Sequence, residues 1–239
     1  MAHSRFSILF ITSSRIGDAV LSSGLVRRLA HEVPEARFTI VAAPLTAPMF
    51  RDVPGLERLI VLEKQSIGRH WFKLWRMVRG RRWGVVVDMR GSALARFLSA
   101  RKRAVRKPPP SVLGPMHKVV EAARVLRIDD AAPDPYLYVS SETQVAADAL
   151  LGEGGPILAM APAANWAGKT WPSERFAVVA AELLGESGPM SSGRLLLLGG
   201  PGDRVAVEAV RRVIPRARLI DLVGKVDLLT SYALSLIHI

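Results

Sequence analysis

Short apolar runs alternate with amphipathic segments along most of this chain, and few folds accept that alternation. "ILFIT" (8–12) reads as a strand, and "DAVLSSGLVRRLAHEV" (18–33) follows it with Val20, Leu21, Leu25, Leu29 and Val33 on one helical face. "FTIVAA" (38–43), "RLIVLE" (58–63) and "WGVVVDMRG" (83–91) read as further strands, the last ending at Asp88. "HWFKLWRMVRGRR" (70–82) and "HKVVEAARVLRI" (117–128) read as helices, the first with an aromatic stripe suited to core packing. Strands alternating with helices predict a parallel sheet joined by crossovers.

The pattern pauses at "DDAAPDPYLYVSSETQ" (129–144), where proline, acid and serine mix as they do in linkers, and then restarts. "GPILAMAPAA", "GRLLLLGGPGD" and "ARLIDLVG" read as strands; "WPSERFAVVAAELLGES" and "RVAVEAVRRVI" read as helices. The expectation is an α/β protein of two Rossmann-like halves: residues 1–130, a linker at 131–150, and a second half at 151–239. Only fourteen residues follow "LVGK", fewer than a doubly wound domain needs, and "LSLIHI" offers no polar face and no cap. We therefore expect the second domain to be incomplete and the natural protein to continue.

Composition removes several classes. The chain has no cysteine, which excludes disulfides, thiolate metal sites and a cysteine nucleophile. Its five histidines show no metal-ligand spacing, so no metal site is expected. "MAHSRFSILFITSSR" reads as a strand rather than a signal peptide, and no apolar run approaches the ~18 residues of a membrane span. A cytoplasmic protein, soluble or peripheral at a membrane, is expected. The net charge of +12 is lopsided: residues 1–150 carry +11 and residues 151–239 only +1. The bias suits an anionic partner for the first half, whether nucleic acid, acidic lipid or a phosphorylated substrate, and an arginine-rich proteome would give the same excess. No zinc pattern, helix-turn-helix or aromatic-studded RNA-binding strand supports nucleic acid.

Three stretches carry residues suited to chemistry. "SSRIGDAVL" (13–21) lies just beyond the first strand, where open parallel sheets place their ligands. Gly17 there permits close approach or positive φ, and Asp18 suits either a helix N-cap or a carboxylate at the mouth of a site. "NWAGKTWPSERF" (165–176) puts Lys169 ahead of a helix whose Pro172 fits the first turn and whose Trp171 can staple it. An ammonium beside free backbone N–H groups suits a diphosphate, though a solvated loop lysine reads the same way. "LLLLGGPGDR" (195–204) offers backbone at Gly199, Gly200 and Gly202 and an acceptor at Asp203. None of the three is the G-x-G-x-x-G dinucleotide fingerprint, which argues against a dehydrogenase.

Taken in order, "SSRIGDAVLSSGLVRRL", "VVVDMRGSALARFL", "KTWPSERFAVVAAELL" and "LLLLGGPGD" resemble the family 9 glycosyltransferases, the lipopolysaccharide heptosyltransferases. The resemblance runs to about Lys225. It implies a GT-B fold, two Rossmann-like domains facing a cleft, and inverting transfer without a bound metal or cofactor. The donor it implies is ADP-heptose. The acceptor it implies is a phosphorylated Kdo–lipid A core, reached by peripheral contact with the anionic inner face of the cytoplasmic membrane, with no role for nucleic acid. Asp18 matches the family's catalytic aspartate, and Lys169 the lysine that neutralises the leaving diphosphate. Asn165, Gly200 and Asp203 match the donor site. Ser14, Arg15, Gly17, Arg90 and Arg101 stand as acceptor contacts, the last within the basic run "RFLSARKRAVRK" (96–107). The family's later "GxDSG-x-x-H" and "GPT" stretches are missing, which predicts low or no activity for these 239 residues. A GT-B transferase using another nucleotide sugar fits the same patterning.

Overall fold

The computed structural model describes residues 6–108, 114, 116–164 and 166–236, which fall into two compact units, Met1–Ser140 and Ser141–Ile239. The first is built from β1 (Ser7–Ile11), α1 (Ile16–Leu21), α2 (Ser23–Glu32), β2 (Arg37–Ala42), β3 (Leu56–Val61), α3 (Arg69–Val78), β4 (Trp83–Asp88), β5 (Ala100–Val105) and α4 (Lys118–Ala123). Its five strands are all parallel, in the order β3-β2-β1-β4-β5. β1 lies in the middle and is buried along its whole length, as its unbroken apolar run requires. Leu9, Ile11, Val41, Val86 and Trp83 meet Leu74 and Val78 of α3 in one core.

β5 was not legible as a strand. Its residues "ARKRAV" carry three consecutive cations, and its position explains them: it is an edge strand, where lysine and arginine discourage pairing with another chain. Part of the basic excess of this unit is therefore structural. Arg103 donates from Nε to the Ala95 carbonyl at 2.9 Å and from Nη2 to that of Leu98 at 2.6 Å, tying the edge down.

The single helix expected over 18–33 is two helices. Ser22 ends α1 by donating its hydroxyl to the Asp18 carbonyl (2.8 Å), where it competes with the helical ladder. Ser23 then accepts the backbone N–H of Tyr136 on its Oγ (2.8 Å), and Gly24 makes room for the chain that crosses there. A Cβ at Gly24 would stand 2.3 Å from the Asp134 carbonyl oxygen. The stretch read as a linker is accordingly divided. Residues 132–140 have no regular secondary structure and belong to the first unit, with the Arg27 guanidinium 4.2 Å over the Tyr136 ring and the Ser140 N–H donating to Asp52 at 2.7 Å. Residues 141–151 form a helix of the second unit.

The second unit comprises α5 (Ser141–Leu151), β6 (Ile157–Met160), α6 (Ser173–Leu184), β7 (Arg194–Leu197), α7 (Arg204–Val213), β8 (Leu219–Asp221) and α8 (Leu228–Leu236). Its three strands are parallel in the order β6-β7-β8. Leu195 and Leu197 pack with Ala180, Leu184, Val207 and Val210 of α6 and α7. Trp171 meets Phe176 edge-on at 5.0 Å, the expected staple across the start of α6, although Pro172 sits at the N-cap, one residue earlier than read. Of the tail expected to be uncapped, residues 234–236 form the last turn of α8 and 237–239 lie outside the described residues; at the start of that helix Asp227 accepts the Thr230 N–H (2.8 Å), and Leu229, Ala233 and Leu234 are buried. Among the described residues no helix is long and apolar enough to cross a membrane.

Candidate active site

In the first unit the strand order reverses between β1 and β4, so the crevice beyond the carboxyl ends of those two strands is the place for a ligand. Both strands end in polar residues there. After β1 come Thr12 and Ser13, buried, then Ser14 and Arg15, exposed, then α1. Arg15, not Asp18, is the N-cap residue of α1. Asp18 stands one turn in, half-buried, and its carboxylate has no hydrogen-bond or ion-pair partner among the described residues. The helix dipole favours a negative charge at this position without engaging it. Gly17 is helical, its φ is not positive, and a Cβ there would meet nothing within 4 Å, so the fold itself does not require glycine.

β4 ends at Asp88, which is fully buried. Its carboxylate accepts the Arg90 N–H (2.9 Å), the Ser92 N–H (2.8 Å) and the Ser92 hydroxyl (2.5 Å), closing a tight turn over "DMRGS". Burial pushes this carboxyl above the ordinary range against the pull of those bonds. Gly91 takes φ +66° at the turn, where a Cβ would press within 2.8 Å of the Arg106 carbonyl oxygen. The Asp88 carbonyl in turn accepts the Arg106 N–H at 2.8 Å. Asp88 is thus a scaffold residue that aims two arginines.

The first is Arg90. Its Nε donates to the Thr12 carbonyl (2.8 Å), and its guanidinium lies 5.8 Å from the centre of the Trp71 ring. Arg90 Nη2 and Thr12 Oγ1 are buried with no hydrogen-bond partner among the described residues. Burial lowers the Arg90 pKa, and the Asp88 charge opposes that shift. The second is Arg106, whose Nη2 meets Glu121 at 2.6 Å; Lys118 holds the other oxygen of the same carboxylate at 2.5 Å. Glu121 is only 7% exposed, and the hydrogen bonds from Lys118 and Arg106 hold its carboxyl below the ordinary range. Ser13, Asp18, Met89, Arg106 and Lys118 line one small concavity. Arg106, Lys118 and Glu121 were not singled out from the sequence; the basic run and the helix that contain them were the available signal.

Arg101 is not brought to this end. It is the second residue of β5, beside the start of β4, and lies about 13 Å along the strand from Val105, the partner of Asp88.

In the second unit, Lys169 ends a short 3₁₀ turn (Ala167–Lys169) after β6, exposed, with three residues between it and α6. Asn165 lies outside the described residues. After β7, Asp203 accepts the Gly200 N–H on Oδ2 at 2.7 Å, and the Gly199 carbonyl accepts the Gly224 N–H at 2.9 Å. Asp203 therefore spends one oxygen on closing its own glycine turn at the head of α7. Two histidines are spent on backbone: His70 and His117 accept the N–H groups of Gln65 and Val119. Among the described residues no group of three or more histidine, aspartate or glutamate side chains is placed to hold a metal.

The profile of glycosyltransferase family 9 (heptosyltransferase) matches residues 72–236, from α3 through α8. The chain belongs to glycosyltransferase family 9. It is a transferase of the heptosyltransferase family, with the mixed α/β, parallel-sheet architecture of the GT-B class. Similar solved structures carry the same fold. ADP-heptose lps heptosyltransferase II of E. coli superposes with a TM-score of 0.75 at 20% identity, over 96% of this chain and 76% of that one. The family 9 glycosyl transferase of Veillonella parvula gives 0.73 at 18% identity, over 98% and 73%. E. coli heptosyltransferase WaaC with ADP-2-deoxy-2-fluoro heptose gives 0.66 at 16% identity, over 95% and 79%. No curated protein sequence matches the chain.

Proposed function

We propose that this family 9 enzyme transfers a heptosyl group from ADP-heptose to a phosphorylated Kdo–lipid A core, by inverting displacement and without a metal. The observation that carries the reading is the unpartnered Asp18 carboxylate in a concavity it shares with Arg106 and Lys118, at the switch point of the sheet. The solved relatives named with ADP-heptose or its fluoro analogue support the donor.

In this reading the acceptor hydroxyl attacks the anomeric carbon from the face opposite the diphosphate. Its proton passes to Asp18, the bond between the anomeric carbon and the phosphate oxygen breaks, and ADP leaves with the bonding electrons. Lys169 neutralises the charge that develops on the departing diphosphate. The glycine turn at Gly199–Gly200 offers backbone to the nucleotide, with Asp203 beside it; Asn165 is assigned to the donor on the sequence resemblance alone. Arg90, with a spare buried donor, and Arg106 and Lys118, with one shared counter-charge, receive the anionic acceptor together with Ser14 and Arg15. Arg101 is left to the sheet edge. The acceptor is anchored in lipid, so the enzyme works at the cytoplasmic face of the inner membrane.

Isothermal titration with a panel of nucleotide sugars tests the donor. ADP-heptose is expected to bind at least tenfold more tightly than UDP- or GDP-sugars, a difference of about 1.4 kcal/mol. Equal affinities would replace the heptose reading with a transferase for another sugar.

A further inference from the structure

The outward face of α3 is unlike the rest of the surface. Arg69, Phe72, Lys73, Arg76 and Met77 recur on it at helical spacing, all exposed, and Phe72 leaves 61% of its surface in water. Beside it runs an apolar groove between α3 and the 3₁₀ turn Leu94–Phe97, lined by Trp71, Phe72, Trp75, Leu94 and Phe97. Phe97 is 70% exposed. Among the described residues no acidic side chain lines either surface, and none occurs in the sequence between Arg69 and Arg82. Arg69, Lys73 and Arg76 have no ion-pair partner among the described residues. Exposed aromatics of this size, contiguous and rimmed by one sign of charge, mark an interaction surface.

We propose that α3 and this groove form the surface by which the enzyme sits on an anionic lipid bilayer, with Phe72 and Phe97 entering the boundary between headgroups and acyl chains. Aromatic groups on one side and lysine and arginine around them match that boundary in both polarity and charge. The long basic side chains bury their stems and keep their charges among the headgroup phosphates. A second copy of the chain fits worse, because a two-fold contact would set Lys73 and Arg76 against their own images. The surface also adjoins the active site. Trp71 lines the groove and lies against Arg90, which is bonded to Thr12 at the head of the crevice. The proposal deepens the lipid-borne acceptor reading; it rests on that reading for its purpose and on the side chains named here for its evidence.

Vesicle co-sedimentation tests it. The protein is expected to sediment with vesicles of phosphatidylethanolamine and phosphatidylglycerol and to remain in solution with phosphatidylcholine alone. Brominated acyl chains are expected to quench its tryptophan emission. Phe72→Ser/Phe97→Ser should weaken vesicle binding roughly tenfold or more. Lys73→Gln and Arg76→Gln should each weaken it roughly fivefold. All these side chains are exposed, so the variants should keep the wild-type unfolding midpoint and the wild-type rate on a deacylated, water-soluble acceptor. Absence of sedimentation, equal binding to both vesicle types, or binding indifferent to the Phe72/Phe97 pair would overturn the proposal. So would a dimer in solution that the same pair dissolves. Vesicle binding by an enzyme that transfers to no Kdo-containing acceptor would instead remove the acceptor reading and leave the docking surface standing.

Discussion

At the scale of residues, two buried carboxyl groups at one end of a sheet do opposite things with their charge. Glu121 takes hydrogen bonds from Lys118 and Arg106, and its folded pKa is depressed. It therefore contributes stability above the unfolded carboxylate pKa and loses it as the pH falls through the depressed value. Asp88 is raised by burial, so its ionised form is disfavoured in the folded state. Its contribution is fully present below the unfolded pKa and is lost as the pH rises through the raised one. Glu121→Gln should cost about 1–2 kcal/mol near neutral pH, because Lys118 and part of Arg106 can still reach water once their partner is neutral. Denaturant titrations of both proteins over a pH series check this. The difference should be largest near neutrality and shrink toward zero in acid; a pH-independent difference would assign the loss to shape rather than charge. Asp18 itself was legible in the sequence, because a polar turn after a first strand points to the crevice wherever the sheet places it. Its neighbours were not: Arg106, Lys118 and Glu121 come from two elements and meet only through an ion-pair geometry that no short motif encodes.

At the scale of elements, what the sequence exposed was burial and what it hid was direction and edge. β1, β2 and β4 are covered by neighbours and read as plain apolar runs. β5 is an edge, carries three charges in a row, and passes for a basic tract until its pairing with β4 is known. The same tract made Arg101 a candidate ligand contact, but strand direction puts it at the far end from Asp88. The break between α1 and α2 was hidden because Ser22 and Ser23 do not disrupt apolar periodicity; their hydroxyls act on backbone. Gly24 is the element-scale test. A methyl group there meets the carbonyls of Pro133 and Asp134, both backbone and unable to swing aside. Gly24→Ala should destabilise the protein by about 1–3 kcal/mol and loosen residues 133–140 from α2. Chemical denaturation gives the first, and faster proteolysis near Asp134 the second. A variant as stable and as resistant as wild type would mean that the chain does not cross α2 this closely.

At the scale of the whole molecule, the two units differ in charge and in the candidate residues they carry. The first carries nearly all the excess positive charge, the switch-point crevice and Asp18. The second carries the exposed Lys169 and the glycine turn closed by Asp203, on a nearly neutral background. That division suits an anionic, lipid-borne acceptor on one unit and a nucleotide sugar on the other. The proposed role of Asp18 as acceptor of the hydroxyl proton is tested by ADP release from ADP-heptose with a Kdo–lipid A acceptor. It should compare wild type with Asp18→Asn. Loss of a general base should lower the rate by roughly 10²–10⁴-fold while ADP-heptose affinity and the unfolding midpoint stay as in wild type. Equal rates in the two proteins would contradict the account and reduce Asp18 to a favourable charge in the first turn of a helix.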